Sequence, residues 1–172
     1  MEGQINEIKT LRMHRAAVRY NKLGDMGPLQ VEVLRQAQMS TDRAYVDGVA
    51  LFNSGRLKTS LSRNEAIGNY VDRTVRKDMR RLCGRYGIEH GVGRQVRVVG
   101  REYNTSGSER SYRIPDLRVG RMAYDITLER KLPSKPQIRG FFASDFRPDS
   151  VAIVRPRELD PKATYAIKKP GK

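Results

Sequence analysis

The stretch SYRIPDLRVGRMAYDITLERK, residues 111–131, contains two short apolar segments, and each of them carries an aspartate. Tyrosine, isoleucine and valine favour β-strands, and Gly120 between the segments is typical of a tight turn, so the stretch predicts a β-hairpin. Pro115 removes a backbone donor, which predicts that strand pairing bulges or ends beside Asp116. Paired in this way, Asp116 and Asp125 come onto the same face near the middle of the sheet. Because a buried carboxylate costs free energy unless something compensates for it, this pair is the first candidate for a functional site.

A divalent metal ion is the simplest partner for two adjacent carboxylates. Carboxylates held close together repel each other and are driven towards protonation unless a cation intervenes. Mg²⁺ prefers oxygen ligands, keeps several waters, and is commonly bound by one or two carboxylates together with phosphate. We therefore expect Asp116 and Asp125 to be metal ligands, with Mg²⁺ as the foremost candidate. A metal held there activates water and stabilises the transition state of phosphodiester hydrolysis.

The other metal-binding residue types offer no competing site. His14 and His90 lie far apart in the sequence, and Cys83 is the single cysteine, which excludes an internal disulfide and a thiolate cluster. Cys83 falls within an amphipathic helical pattern, so we expect it to be a small packed residue.

The net charge of +15 indicates a polyanionic partner. The chain has 34 lysines and arginines against 19 aspartates and glutamates, and the excess is +3 in residues 1–62 but +12 in residues 63–172. In the second part 18 of the 25 basic residues are arginine, the cation better suited to bidentate phosphate contacts. Nucleic acid is therefore the expected partner. The alternatives are a surface that binds a single acidic protein and a basic surface without a specific ligand.

Residues 1–62 read as a helical N-terminal segment without a catalytic motif. Its first helix is marked by apolar residues at helical spacing, Ile5, Ile8, Leu11 and Val18. That helix is expected to stop at Gly24, and Pro28 is expected to start a second helix, followed by a third over residues 41–57. The start of the chain lacks the features of a signal peptide, and no run approaches about 18 apolar residues, so we expect a soluble protein with no membrane-spanning segment.

Residues 63–172 read as an α+β domain with the element order α-β-β-β-α-β. The first helix is capped by Ser62 or Asn64 and stops at Gly87. The later elements are three strands over residues 94–103, 110–120 and 121–128, a short helix over residues 137–146, a strand over residues 150–156 and an edge strand in the tail.

Two short motifs in this domain resemble those of the PD-(D/E)xK nucleases. They are Ile114-Pro115-Asp116 and Asp125-Ile126-Thr127. The resemblance implies a restriction-endonuclease-like fold, an α+β core of order α-β-β-β-α-β in which helices flank a mixed sheet. The segments IPDLRVGRMAYDITLERK, PQIRGFF and VAIVRPRELD are similar to nuclease toxin domains at the C-terminal ends of bacterial contact-dependent inhibition and Rhs polymorphic toxins. The similarity covers residues 63–172 and leaves residues 1–62 uncovered.

The resemblance implies a metal-dependent endonuclease that hydrolyses phosphodiester bonds. Toxins of this kind cut tRNA or DNA, and tRNA is the expected substrate because the closer patterns belong to tRNases. An acidic immunity protein is the implied protein partner, and contact-dependent growth inhibition is the implied process. The expected place of action is the cytoplasm of a target bacterium, after delivery as part of a larger secreted toxin.

The sequence departs from the family where the lysine belongs, two residues after the second acid. That position is Thr127. In the arrangement we favour, Thr127 positions water or the metal with its hydroxyl group, and Lys131 reaches in from the strand end as the cation. In the alternative, the motif is read as Glu129-Arg130-Lys131, which keeps Lys131 as the cation. The departure also allows a nucleic-acid-binding module that has kept the fold and lost the chemistry.

Many members of the family add an acid from the helix before the sheet. Asp72 is the first candidate because it lies closest to the buried face of the predicted helix, with Glu65 second and Glu89, between helix and strand, third. The alternative for Asp72 is an ordinary ion pair with Arg76, four residues further on. Gln137, at the start of the next helix, is expected to add a polar contact to the site.

Overall fold

Four α-helices and seven β-strands form an α+β architecture in residues 1–57, 60–106 and 111–171, which the computed structural model describes. The helices are α1 (Glu2–Leu23), α2 (Gly27–Asn53), α3 (Arg63–Arg85) and α4 (Pro136–Phe142). The strands are β1 (Val96–Val98), β2 (Glu102–Asn104), β3 (Ser111–Arg113), β4 (Leu117–Val119), β5 (Met122–Ile126), β6 (Ser150–Val154) and β7 (Tyr165–Lys168). Within the described residues, no helix has both the length and the apolar character needed to cross a membrane.

Five of the strands form one mixed sheet in the order β1-β4-β5-β6-β7, and β2 and β3 form a separate hairpin. β4 runs antiparallel to β1 and β5, whereas β5 and β6 are parallel and β7 is an antiparallel edge strand. The elements α3, β1, β4, β5, α4 and β6 follow the predicted order α-β-β-β-α-β. The edge strand predicted in the tail is β7, and Lys172 lies outside the described residues.

Two of the predicted strands are each broken into two short ones. Residues 94–103 form β1 and β2, because Val99 adopts a φ of 57° and turns the chain out of the sheet. Residues 110–120 form β3 and β4, and pairing is interrupted at Pro115 as its missing donor predicts. Arg110, the first residue of that predicted strand, lies outside the described residues. The prediction of single strands was therefore wrong, and the hairpin β2–β3 is an insertion between two strands of the main sheet.

The N-terminal residues form two helices where three were predicted. Gly24 ends α1 with a left-handed φ of 66°, and Pro28 lies in the first turn of α2, as predicted. α2 continues through residue 41, where the third helix was expected to begin, and the Ser40 hydroxyl group donates to Asp78 of α3. The apolar row Ile5, Ile8 and Leu11 is exposed, and the buried residues of α1 are Met13, Ala16 and Ala17.

The sheet lies between two helical layers, with α1, α2 and α3 on one face and α4 on the other. Alternate strand residues therefore belong to two separate cores. Leu117 and Tyr124 pack with buried side chains of α1, α2 and α3, so the N-terminal helices share a core with the sheet. Ala123 and Ile153 pack with the buried face of α4. Asp125 follows the alternation of Ala123 and lies near the carboxyl end of β5, on the α4 side of the sheet.

Candidate active site

The tight hairpin between β4 and β5 brings the two aspartates close together. The last pair of its register is Leu117 with Tyr124, and Asp116 and Asp125 each lie one residue beyond that pair. The Asp116 backbone N–H donates to the Tyr124 carbonyl oxygen at 3.1 Å, and the Val99 N–H donates to the Asp116 carbonyl oxygen at 3.0 Å. The backbone of Asp116 is thus fixed by both neighbouring strands, although it lies beside the break in strand pairing.

Both aspartates line a cavity of about 490 Å³ between α3 and α4, which we call the aspartate cavity. All six residues that the sequence proposed as catalytic line it: Glu65, Asp72, Asp116, Asp125, Thr127 and Lys131. Gln137 lines it as well. Glu89, the third candidate for the helix acid, is an exposed residue that pairs with Arg94 at 2.8 Å, and it does not line the cavity.

Asp116 is a buried carboxylate held by a helix and by the next strand. Only 6% of the surface of Asp116 is exposed to solvent. Arg76 Nη2 donates to Oδ1 at 2.8 Å, and the Ile126 backbone N–H donates to Oδ2 at 2.7 Å. Burial, together with the charge of Asp72, raises the pKa of Asp116 to about 6, against the opposing effect of Arg76. The site therefore holds an acid that titrates close to neutral pH, and a further cation beside it would favour its ionised form.

Asp125 is even less exposed, at 3%, and is held from the opposite side of the sheet. Gln137 Nε2 donates to Asp125 Oδ1 at 2.9 Å, and Lys131 Nζ lies 2.8 Å from Asp125 Oδ2. Lys131 Nζ also donates to Gln137 Oε1 at 2.5 Å, so the three side chains are mutually connected. Burial raises the pKa of Asp125, the Lys131 charge lowers it, and the nearby Asp116 charge raises it.

The loop after β5 is held in place so that Lys131 reaches the aspartate cavity. The Tyr165 hydroxyl group accepts from the Lys131 backbone N–H and donates to the Lys131 carbonyl oxygen, both at 2.7 Å. Arg155 donates twice to the Leu128 carbonyl oxygen, at 3.1 and 3.2 Å. The Lys131 side chain is only 15% exposed, so it is a fixed cation of the cavity and not a solvated surface lysine.

Thr127 closes the first turn of this loop. Its hydroxyl oxygen accepts from the Glu129 backbone N–H at 3.1 Å, and its own N–H donates to the Val154 carbonyl oxygen at 3.1 Å. Glu129 is exposed and also lines the rim of the cavity. Lys131 approaches Asp125 from the strand end, as in the arrangement that we favour, whereas Glu129, the acid of the alternative, lies at the exposed rim.

Arg76 was expected only as a possible ion-pair partner of Asp72, and its place among the site residues was not predicted. Its Nε lies 2.7 Å from Asp72 Oδ1, and its Nη2 bonds to Asp116, so one guanidinium group joins the helix acid to the strand acid. The spacing of four residues indicated the contact with Asp72. No sequence signal indicated the contact with Asp116, which lies 40 residues away.

Glu65 lies at the rim of the aspartate cavity with its carboxylate engaged in capping α3. The Ser62 N–H donates to Glu65 Oε2 at 3.0 Å, and the Glu65 N–H donates to Ser62 Oγ at 3.4 Å, which together form a capping box. The hydrogen bond from the Ser62 side chain lowers the pKa of Glu65. Asp72, further along α3 and close to Arg76, is the better placed of the two helix acids.

The two central carboxylates fit a divalent cation with few protein ligands. Among the described residues, no group of three or more histidine, cysteine, aspartate and glutamate side chains is arranged to hold a metal. Asp125 Oδ2 and Asp72 Oδ1 are nevertheless buried oxygens, and their partners are the cations Lys131, at 2.8 Å, and Arg76, at 2.7 Å. Mg²⁺ is commonly bound by one or two carboxylates, with water and phosphate as its other ligands. A metal there would compete with Arg76 for Asp116 and with Lys131 for Asp125.

A larger cavity of about 630 Å³ lies between α2 and α3, but its acids have a different environment. Asp42 pairs with Arg157 at 2.7 Å, and Asp78 pairs with Arg43 at 2.6 Å, in both cases with a well-exposed arginine. The aspartate cavity differs because its two central acids are almost completely buried and their cations, Arg76 and Lys131, are partly buried.

No protein-family model, curated protein or solved structure matches this chain. The case for a function therefore rests on the residues of the aspartate cavity and on the charge of the surface around it.

Proposed function

We propose that this chain is a metal-dependent endonuclease of the PD-(D/E)xK type, which hydrolyses phosphodiester bonds in tRNA. One observation carries the proposal. Two buried carboxylates, Asp116 and Asp125, converge from adjacent strands on one open cavity, where Lys131 is the neighbouring cation. Buried acids with raised pKa values in a cleft are typical of functional sites.

The arrangement of helices and strands supports this class of nuclease. The elements α3, β1, β4, β5, α4 and β6 follow the order expected of the restriction-endonuclease-like core, and the sheet is mixed and flanked by helices. Asp116 follows Pro115 at the break in pairing, and Asp125 lies near the end of the next strand, which is where the resemblance places the two acids.

The exposed face of α3 supports a nucleic acid as the substrate. It carries five exposed cations, Arg73, Lys77, Arg80, Arg81 and Arg85. None of them forms an ion pair with an acid among the described residues. Like charges three and four residues apart destabilise a helix, so an external polyanion is the natural partner of this row. The row begins beside Asp72 at the aspartate cavity and extends for roughly 18 Å, the rise of twelve helical residues.

The residues of the aspartate cavity have complementary roles in this proposal. Asp116 and Asp125 would hold Mg²⁺, which when bound supplies an activated water and positive charge for the transition state. Arg76 favours the ionised form of Asp116, and Gln137 orients Asp125. Lys131 places an ammonium group where it neutralises charge on the attacked phosphate. The Thr127 hydroxyl oxygen accepts from the backbone, which leaves its O–H free to orient water.

The biological setting follows from the family resemblance and from the charge. A toxin domain of contact-dependent inhibition or Rhs type would act in the cytoplasm of a target bacterium. Its tRNase activity would be neutralised by an acidic immunity protein, and a chain with a net charge of +15 suits such a partner.

The test is a paired cleavage assay on total tRNA and on plasmid DNA, each with Mg²⁺ or with EDTA. Asp116→Ala and Asp125→Ala should abolish cleavage while leaving the fold intact. Asp149→Ala is the matched control, because Asp149 is an exposed aspartate whose side chain pairs with Arg121, away from the cavity. Discrete tRNA fragments that require both Mg²⁺ and the two aspartates would support the tRNase. Nicked plasmid would indicate a DNase with the same site, and cleavage by both alanine variants would overturn the site.

A nucleic-acid-binding module without catalysis is the second candidate. It is favoured by the pairing of Asp116 with Arg76 and of Asp125 with Lys131, which gives each acid a protein cation, and by Thr127 at the position of the family lysine. Such a module would bind RNA or DNA with salt-sensitive affinity, would not need Mg²⁺, and would release no product.

A further inference from the structure

The inserted hairpin β2–β3 displays an aromatic pair to solvent. All eight tyrosines and four phenylalanines lie within the described residues, and only Tyr103 and Tyr112 are largely exposed, at 45% and 44%. They lie directly opposite each other in the strand register. Their ring centroids are 5.9 Å apart with the ring planes at 60°. The chain thus buries ten of its twelve aromatic side chains wholly or partly and leaves these two side by side at the surface.

The hairpin is anchored firmly, so the exposure of this pair is a built feature. Glu102, on the inner side of the hairpin, is only 5% exposed, and it pairs with Arg97 and Arg118 at 3.0 Å each. The Asp145 backbone N–H donates to the Tyr103 carbonyl oxygen at 2.8 Å, and Asp145 in turn accepts from the N–H and hydroxyl groups of Thr105. These contacts fix the position of the outer face.

Arg101 adds a positively charged plane to the aromatic pair. Its guanidinium carbon lies 4.8 Å from the centroid of the Tyr112 ring, which is the geometry of a cation–π contact. It forms no ion pair with an acid among the described residues. We call Arg101, Tyr103 and Tyr112 the tyrosine platform. Nucleobases stack on tyrosine rings and on guanidinium planes, and a nearby phosphate is attracted by the same arginine.

The tyrosine platform lies next to the aspartate cavity. Ile114, which directly follows β3, lines that cavity and is itself exposed. Asp116 follows Tyr112 by four residues, so their backbones are separated by about 14 Å at most. An RNA strand whose phosphate lies at Asp116 therefore has its neighbouring nucleotides within reach of the platform.

We infer that the tyrosine platform stacks an unpaired RNA base adjacent to the phosphate cleaved in the aspartate cavity, and this rests on the proposed function. Base faces are covered in a duplex and become available where nucleotides are unpaired, as in loops. The platform itself consists of two rings and one cation, and the neighbouring Asp145 carboxylate is engaged by the N–H and hydroxyl groups of Thr105. The substrate class is accordingly an RNA loop and not a continuous duplex.

Binding of fluorescein-labelled RNA in EDTA to the full chain tests this inference without cleavage. The probes are an RNA hairpin with an unpaired loop, a blunt RNA duplex of the same stem sequence, and the deoxy version of the hairpin. The double variant Tyr103→Leu with Tyr112→Leu should lose about tenfold or more in affinity for the RNA hairpin. The matched variant Tyr103→Phe with Tyr112→Phe keeps both rings and should stay within about twofold of the parent chain. All three proteins should bind the blunt duplex equally.

Several outcomes would overturn the inference. Unchanged affinity of the leucine variant for the RNA hairpin, or an equal loss for the blunt duplex, would exclude base stacking. Equal affinity of the parent chain for the deoxy hairpin would overturn the assignment to RNA. If the parent chain binds polyglutamate and the leucine variant does not, while both bind RNA equally well, the platform would be assigned to an acidic protein instead.

Binding and cleavage separate this inference from the proposed function. If the alanine variants of Asp116 and Asp125 still cleave tRNA while the leucine variant loses affinity for the loop, the proposed catalytic site fails and the platform stands. If cleavage needs both aspartates and the leucine variant keeps its affinity and its KM, only the platform fails.

Discussion

Lys131 Nζ lies 2.8 Å from Asp125 Oδ2, although the residue two positions after Asp125, where a PD-(D/E)xK motif would have its lysine, is Thr127. The chain reaches this arrangement through a loop of four residues that Tyr165 fixes at the Lys131 backbone. Gln137 then joins the lysine and the aspartate from α4. In the proposed nuclease, the ammonium group thus reaches Asp125 by a different backbone path from that of the PD-(D/E)xK motif.

Replacing Lys131 should disable the site. Lys131→Gln removes the cation that most strongly lowers the pKa of Asp125, so this buried acid should become harder to ionise. We expect cleavage to fall by about 100-fold or more and the free energy of unfolding to fall by about 1–3 kcal/mol. Initial rates on tRNA and urea unfolding check both effects. Lys135→Gln, an exposed lysine at the start of α4, is the control, and equal rates for the two variants would contradict the role of Lys131.

Local sequence signals predicted that Asp116 and Asp125 lie close together, and tertiary contacts account for what was missed. The turn at Gly120 and the two-residue period of strands can both be read along the chain, and the two aspartates do line one cavity. The link from Arg76 to Asp116 joins a helix to a strand 40 residues away, and helical spacing carries no information about it.

The broken strands show the same limit at the level of the backbone. Valine favours extended conformations, so nothing local indicated that Val99 adopts a φ of 57°. The hairpin β2–β3, and with it the exposed pair Tyr103 and Tyr112, was therefore unforeseen. Likewise, Ser40 has the residue type of a helix cap but bonds to Asp78 of α3, which lies far away in sequence, and α2 continues past it.

The free energy of unfolding should depend on pH through Asp116. Burial raises its pKa in the folded state to about 6, whereas the ordinary value is 3.8, so the folded chain binds more protons between these pH values. The contribution of Asp116 to the free energy of unfolding is therefore greatest below about pH 4. It falls by about 3 kcal/mol as the pH rises to about 6 and is constant above that pH.

Asp116→Asn should remove this step. The measurement is urea unfolding from pH 4 to pH 7.5, expressed as the difference between the parent chain and the variant. Asp149→Asn is the control, because the hydrogen bond from Arg121 lowers the pKa of Asp149 and places its titration below this window. Parallel pH profiles for the parent chain and Asp116→Asn would contradict the burial of an ionisable Asp116.

Removing the guanidinium group of Arg76 should make the site more receptive to Mg²⁺. Arg76 lies 2.8 Å from Asp116 and 2.7 Å from Asp72, so it neutralises the charge that a metal would use. For Arg76→Gln we expect the Mg²⁺ concentration that gives half of the maximal thermal stabilisation to fall by about tenfold, or about 1.4 kcal/mol. In the absence of metal the variant should unfold at a lower temperature, because Asp116 is left buried without its cation.

The control for this experiment is Arg73→Gln, one turn earlier on α3. Arg73 is exposed, and within the described part of the chain its side chain donates only to the Asn69 carbonyl oxygen, at 3.3 Å. Its removal should leave the Mg²⁺ dependence of thermal stability unchanged. If Mg²⁺ stabilises neither the parent chain nor Arg76→Gln, the metal does not bind at Asp116, and the binding module becomes the better interpretation.

The two helix acids should separate into a structural and a functional residue. Glu65→Ala breaks the capping box with Ser62, so it should lower the midpoint of urea unfolding, and Glu65→Gln should restore much of the loss because glutamine also reaches the N-cap backbone. Ser62→Ala removes the other half of the same box and should cost about 1 kcal/mol. None of these three variants should change the rate of tRNA cleavage under conditions where the chain is folded.

Asp72→Asn should instead lower the cleavage rate with little loss of stability, because Asp72 shares Arg76 with Asp116 inside the aspartate cavity. A cleavage defect in Glu65→Gln, or full activity in Asp72→Asn, would reverse the assignment and make the rim of the cavity the site of the helix acid.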